Sequence, residues 1–233
     1  MKMIRMLLSV FAVAIGLVTI PQLHAAETAK VTVIHGISGL PKAVDVYANG
    51  AYLFSFDYKG VVGPVELAPD TYNLEVKLDG TTVLSTSAFV EAGKNYTVLA
   101  HFKYVADGTP GIALSVFEND ATGTGPGQTR LTVRHAADAP AVDVDLLRGG
   151  GRSLLLGVED LANAQGEPVG QAGPVLIRPG AYRAELYAAG TNVKAFDSGR
   201  LALRPNTAYI VYAIGSLTGG TFDLLVQTIN TGK

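Results

Sequence analysis

From residue 31 onward, apolar and polar residues alternate over short runs, the period-two pattern of strands with one face in a core and one face outside it. In the first half of the chain these runs predict strands over residues 31–34, 43–48, 51–56, 61–67, 71–78, 82–90, 96–104 and 112–117. Asn49-Gly50 separates the second run from the third. That dipeptide suits a type I′ hairpin turn, whose two central residues both need positive φ, and Asp79-Gly80 is a second such site. Many short strands joined by Gly, Pro, Asn and Asp predict an all-β fold, an antiparallel β-sandwich of immunoglobulin-like or transthyretin-like type.

The pattern then lapses over residues 118–130, where Gly and Pro are frequent and no apolar period survives, and this segment is expected to be a linker. Beyond it the first half is repeated. His35 answers to His135, Pro41 to Pro140, Asp45 to Asp143, Tyr72 to Tyr182 and Tyr96 to Tyr209. The offset changes from 100 to 98, then to 110 and 113, so the second copy carries insertions in its loops. The main one falls within residues 148–171, where residues 158–164 are expected to form a helical turn. A repeat of about a hundred residues predicts two tandem domains, over 31–117 and 131–230, each folding about its own core.

Composition adds a compartment. Lys2 and Arg5, the apolar run over residues 6–20 and the small residues at Ala25 and Ala26 read as a secretory signal peptide over residues 1–25. The apolar run is shorter than the roughly 20 residues that cross a bilayer, so no membrane insertion is expected after cleavage, and the protein is expected to be periplasmic or secreted. There are no cysteines, which excludes disulfides, thiolate metal sites and a lipid-bearing N-terminal cysteine. Without Lys2 and Arg5, the 18 basic side chains become 16 against 20 acidic ones, a net charge of −4 that argues against nucleic acid as a partner.

The repeated stretches that organise the chain run from His35 to Tyr47 and from His135 to Asp145. Their shared pattern, His followed by Pro and then Ala-Val-Asp-Val, resembles the bacterial domain-of-unknown-function 4397 family, which often carries tandem copies behind a signal peptide. Residues 117–120 leading to His135-Ala136-Ala137-Asp138-Ala139-Pro140-Ala141-Val142-Asp143 carry the likeness most closely. The first copy departs from it at Ser38-Gly39-Leu40, with one extra residue before Asp45. The resemblance implies a fold and an envelope or extracellular setting, and it implies no activity.

Candidate chemistry is sparse. His35 and His135 continue the inward face of their strands, where an imidazole at a core rim bonds loop backbone. Each copy supplies only one such histidine against the three or so ligands a metal needs, so neither metal nor cofactor is expected. Asp45 and Asp143 alternate with core-facing valines. They point away from the histidines and are expected to tie down neighbouring loops. Tyr72, Tyr182, Tyr96 and Tyr209 follow turns, and Tyr209 in Leu203-Arg204-Pro205-Asn206-Thr207-Ala208-Tyr209 has the look of a tyrosine corner. Neither Gly123 to Gln128 nor the glycines between Arg148 and Arg152 match a phosphate loop. The expected function is that of a non-enzymatic binding or structural module of the cell envelope contacting a protein or glycan partner. The alternative is an accessory protein in exopolysaccharide modification or export.

Overall fold

The computed structural model describes residues 27–103, 110–149, 153–163 and 170–232, and the expected signal peptide lies outside these residues. The described chain is all-β. The first half contains β1 (Ala29–His35), β2 (Val44–Ala48), β3 (Ala51–Phe56), β4 (Val61–Leu67), β5 (Asp70–Leu78), β6 (Thr81–Val90), β7 (Asn95–Lys103) and β8 (Gly111–Asn119). The second half contains β9 (Thr129–His135), β10 (Val142–Arg148), β11 (Ser153–Leu161), β12 (Gly170–Ile177), β13 (Gly180–Ala188), β14 (Lys194–Asp197), β15 (Leu201–Leu203), β16 (Thr207–Ile214) and β17 (Asp223–Asn230). No helix among them is long and apolar enough to cross a membrane.

Each half is a pair of facing sheets. In the first, β4-β1-β7-β8 packs on β3-β2-β5-β6; in the second, β12-β9-β16-β17 packs on β11-β10-β13-β14, with β15 extending the pairing of β13. The sheets are not purely antiparallel as the hairpin signals suggested. β1 pairs parallel with β7 from Lys30↔Asn95 to His35↔Ala100, and β9 pairs likewise with β16. A parallel pair needs a crossover, here the whole opposing sheet together with β4 in the first half or β12 in the second, and so leaves no dipeptide signal comparable to a hairpin turn. The two predicted turns have the required geometry, with φ of 49° and 79° at Asn49-Gly50 and of 49° and 78° at Asp79-Gly80.

Two other local expectations change. Residues 158–161 are not helical but belong to β11, which pairs with β10 through Val144↔Val158 and Val142↔Leu161; Ala164 lies outside the described residues. The free edge of β10 supplies backbone partners that a lone helical turn would lack. The expected linker is shorter, since Glu118 and Asn119 end β8 while Thr129 and Arg130 begin β9. Residues 120–128 are pinned to the second half. The Arg130 guanidinium donates to the carbonyl oxygens of Asp120 and Thr122, both at 2.9 Å, and pairs with the Asp120 carboxylate at 3.2 Å.

The halves also pack against each other. A third apolar cluster, distinct from the two between the sheets, joins Ile34, Leu99 and Phe117 to Ile210, Tyr212, Ile214 and Ile229. A buried polar network runs through it. Arg134 donates to Asn119 Oδ1 at 3.1 Å, to the Tyr212 hydroxyl at 2.9 Å and to Gln171 Oε1 at 2.8 Å, while the hydroxyls of Thr97 and Tyr212 each donate to Gln227 Oε1 at 2.8 Å. The guanidinium also lies 4.1 Å from the centre of the Phe117 ring. Thr132 and Arg134, which alternate with core residues and would otherwise meet solvent, are buried because the first half covers that face. Close approach is fixed at Gly36, where an added Cβ would sit 2.9 Å from Ile214 Cγ2 and 3.0 Å from the Ala100 carbonyl oxygen.

Candidate functional site: an apolar cavity in the first half

The paired signature residues are built into the fold. His35 is buried at the end of β1, its Nδ1 accepting from the Ile37 N–H at 3.3 Å and its ring packed 5.3 Å from that of Phe56. Burial pushes its pKa down to about 4, against a smaller upward pull from Asp57. His135 is fully buried and donates from Nε2 to the Pro140 carbonyl at 3.0 Å, so the partnerless Nδ1 is unprotonated. Burial lowers its pKa as well.

The aspartates lie apart from these rings. Asp45 Oδ1 accepts from the Ser55 hydroxyl across the β2–β3 hairpin. Asp143 accepts from the Asp160 N–H at 2.8 Å and the Gly190 N–H at 2.9 Å, joining β11 to the turn after β13. Among the described residues, no group of three or more His, Asp or Glu side chains is arranged to hold a metal ion. The tyrosine hydroxyls bond backbone. Tyr72 donates to the Ala68 carbonyl, Tyr182 to that of Arg178, Tyr96 accepts from the Glu91 N–H, and Tyr209 accepts from the Arg204 N–H at 2.8 Å.

What sets one half apart is the space between its sheets. The first half encloses a cavity of about 420 Å³, while the corresponding space in the second is about 30 Å³. The walls are inward-facing apolar side chains, Val33, Val46 and Val98 among them. The polar side chains on the lining are Tyr72, Tyr96, Asn49 and Glu75, and each makes at least one hydrogen bond within the protein. The two phenols bond backbone, Asn49 Oδ1 accepts from the Asn73 N–H at 2.9 Å, and Glu75 Oε1 accepts from the Thr82 hydroxyl at 3.0 Å.

Strand register locates the missing volume. Tyr72 pairs with Ala88 and its counterpart Tyr182 with Leu201; Asp70 pairs with Val90 and its counterpart Gly180 with Leu203. Beside Tyr96 stands Val31, and beside Tyr209 stands Leu131. Around one end of the first core, Val31, Ala88 and Val90 therefore replace three leucines. The Ala48–Leu74 pair, set against Leu146–Ala184, merely exchanges volume across the strands. Tyr182 is 1% exposed under its leucines, whereas Tyr72 is only half-buried. Tyr72 and Tyr96 stood out in the sequence as tyrosines after turns, and the fold brings both to the cavity wall, whereas Val31, Ala88 and Val90 did not stand out. The signal that could have found them is the repeat itself, since the offset of 113 that aligns Tyr96 with Tyr209 also aligns Ala88 with Leu201.

Fold and cavity together define an all-β, sandwich-like protein of two similar halves, one solid and one hollow. The family described as a domain of unknown function (DUF4397) matches residues 29–145, half of the chain, and the protein belongs to that family. The match begins at β1 and extends through the His135 to Asp145 stretch. No curated protein matches the chain.

Proposed function

We propose that the protein is an exported, non-enzymatic binding module of the cell envelope, made of two tandem sandwiches, and that it takes its ligand in the cavity of the first half. The observation that carries this reading is a large space between the sheets walled almost wholly by apolar side chains, with only four polar side chains on its lining. A space of about 420 Å³ left empty between apolar walls forfeits the packing that fills the second half. Water in the same space would wet apolar walls, whereas an apolar occupant would recover the burial.

Of the two partner classes expected from the sequence, a glycan is the less suited to this cavity, because most of its hydroxyls would be buried against apolar walls without a partner. A protein partner fits by presenting an apolar group. The order β4-β1-β7-β8 facing β3-β2-β5-β6, with β1 parallel to β7, supports the transthyretin-like member of the two expected sandwich types; an immunoglobulin sandwich groups its strands differently.

The test is to recover the native protein from periplasm and medium, extract it with organic solvent, and analyse the extract by mass spectrometry alongside a polysaccharide pull-down. A stoichiometric apolar compound is expected. Retention on exopolysaccharide with no apolar compound would overturn the reading in favour of the polysaccharide-accessory alternative.

A further inference from the structure

Resting on that reading, we infer that the occupant is the single acyl chain of a lipid, lying across the strands and entering tail first between the edge strands β3 and β4. Shape carries the inference. All eight strands of the first half contribute to the wall, and six of them contribute one inward pair two residues apart, such as Val46 and Ala48 or Ala88 and Val90. Four strands spaced ~4.8 Å apart give a length of about 14 Å across the sheet, whereas on six strands the lining is a single two-residue step of about 7 Å, and only β5 adds a second, from Tyr72 to Val76. The space is therefore a slot elongated across the strands and confined between two sheets.

One end of the slot is shut and the other open. At the shut end β6 packs on β8. At the other, β3 and β4 pack on each other less than their counterparts β11 and β12 do in the solid half, and Leu53 and Val65 stand 49% and 43% exposed on that rim. A blind slot with apolar walls and one mouth accepts an unbranched chain and leaves the polar head outside. A volume of about 420 Å³ is filled more readily by one chain than by two, so a single-chain lipid suits it better than a diacyl lipid.

The test is equilibrium dialysis of the full mature chain against dodecanol, lauroyl lysophosphatidylcholine and the compact cage alcohol adamantanol, repeated with A88L. That substitution installs the residue found at Leu201 in the solid half; V90L, matching Leu203, serves as the second variant should A88L misfold. One dodecanol and one lysolipid per chain are expected, with binding at least tenfold weaker in either variant and adamantanol bound at least tenfold more weakly than dodecanol. Adamantanol bound as tightly as dodecanol, and lost in the variants, would overturn the linear-chain inference and leave the apolar-ligand reading standing. Dodecanol bound without the lysolipid would overturn the lipid assignment alone. No binding of any probe, or binding indifferent to both substitutions, would overturn inference and reading together.

Discussion

Acid should destabilise this protein through a buried histidine well before its carboxylates are titrated. His35 is 1% exposed, and its Nδ1 must be unprotonated to accept the Ile37 N–H. Burial lowers its pKa from 6.5 to about 4 in the folded chain, while the unfolded chain keeps the ordinary value. Below pH 6.5 the unfolded state therefore takes up a proton that the folded state refuses until about pH 4, and stability falls as pH falls through that window. At ~1.4 kcal/mol per pH unit of separation the loss amounts to about 3 kcal/mol, fully present as stability above pH 6.5 and gone below pH 4. His135 acts in the same direction. Urea denaturation of the natural protein and of His35→Gln at pH 7, 5.5 and 4 isolates the effect, because the carboxylates contribute equally to both proteins. The natural protein should lose about 3 kcal/mol more than the variant between pH 7 and pH 4. Equal losses, or an NMR titration of His35 centred near 6.5 in the folded protein, would refute the argument.

Replacing Arg134 by Leu leaves Asn119, Gln171 and Tyr212 without their buried donor, and should cost on the order of 3 kcal/mol in urea denaturation. Tyr209→Phe removes the acceptor of the Arg204 N–H and should lower stability by about 1 kcal/mol, read as a fall in Tm. A fragment ending at residue 119 exposes Ile34, Leu99 and Phe117 and should self-associate in analytical ultracentrifugation where the full chain does not; a monodisperse, monomeric fragment would mean that the contact between the halves is incidental.

The parts of the fold written in local chemistry were legible from the sequence. Asn49-Gly50 and Asp79-Gly80 announce their hairpins because only a few residues tolerate two successive positive φ values. β3 and β4 fall on the predicted residues because alternation and bounding turns agree there. What stayed hidden depends on partners far away in the chain. The parallel pairing of β1 with β7 has no turn to mark it. For Thr132 and Arg134, alternation reports only that they point away from their own core, not that another sheet lies beyond. The cavity was hidden for a different reason. Ala88 and Val90 are ordinary inward residues, and their meaning emerges when register gives them the places that Leu201 and Leu203 hold in the second half.

The contact between the halves bears on how one of them can be hollow. Corresponding faces of the two halves, the outer sides of β1–β7 and of β9–β16, meet in the third cluster, so each half covers the same surface of the other. That contact, with Arg134, Tyr212 and Gln227 linking it to Thr97 and Asn119, braces the first half from outside its own core. A lone sandwich depends on the packing between its sheets, and a gap there weakens it. A sandwich held against a solid neighbour has a second source of stability, which offsets part of that loss when no ligand fills the cavity. The two departures from an ordinary sandwich, a buried arginine on an outer face and an unfilled core, are therefore connected: the first supplies rigidity that the second gives up.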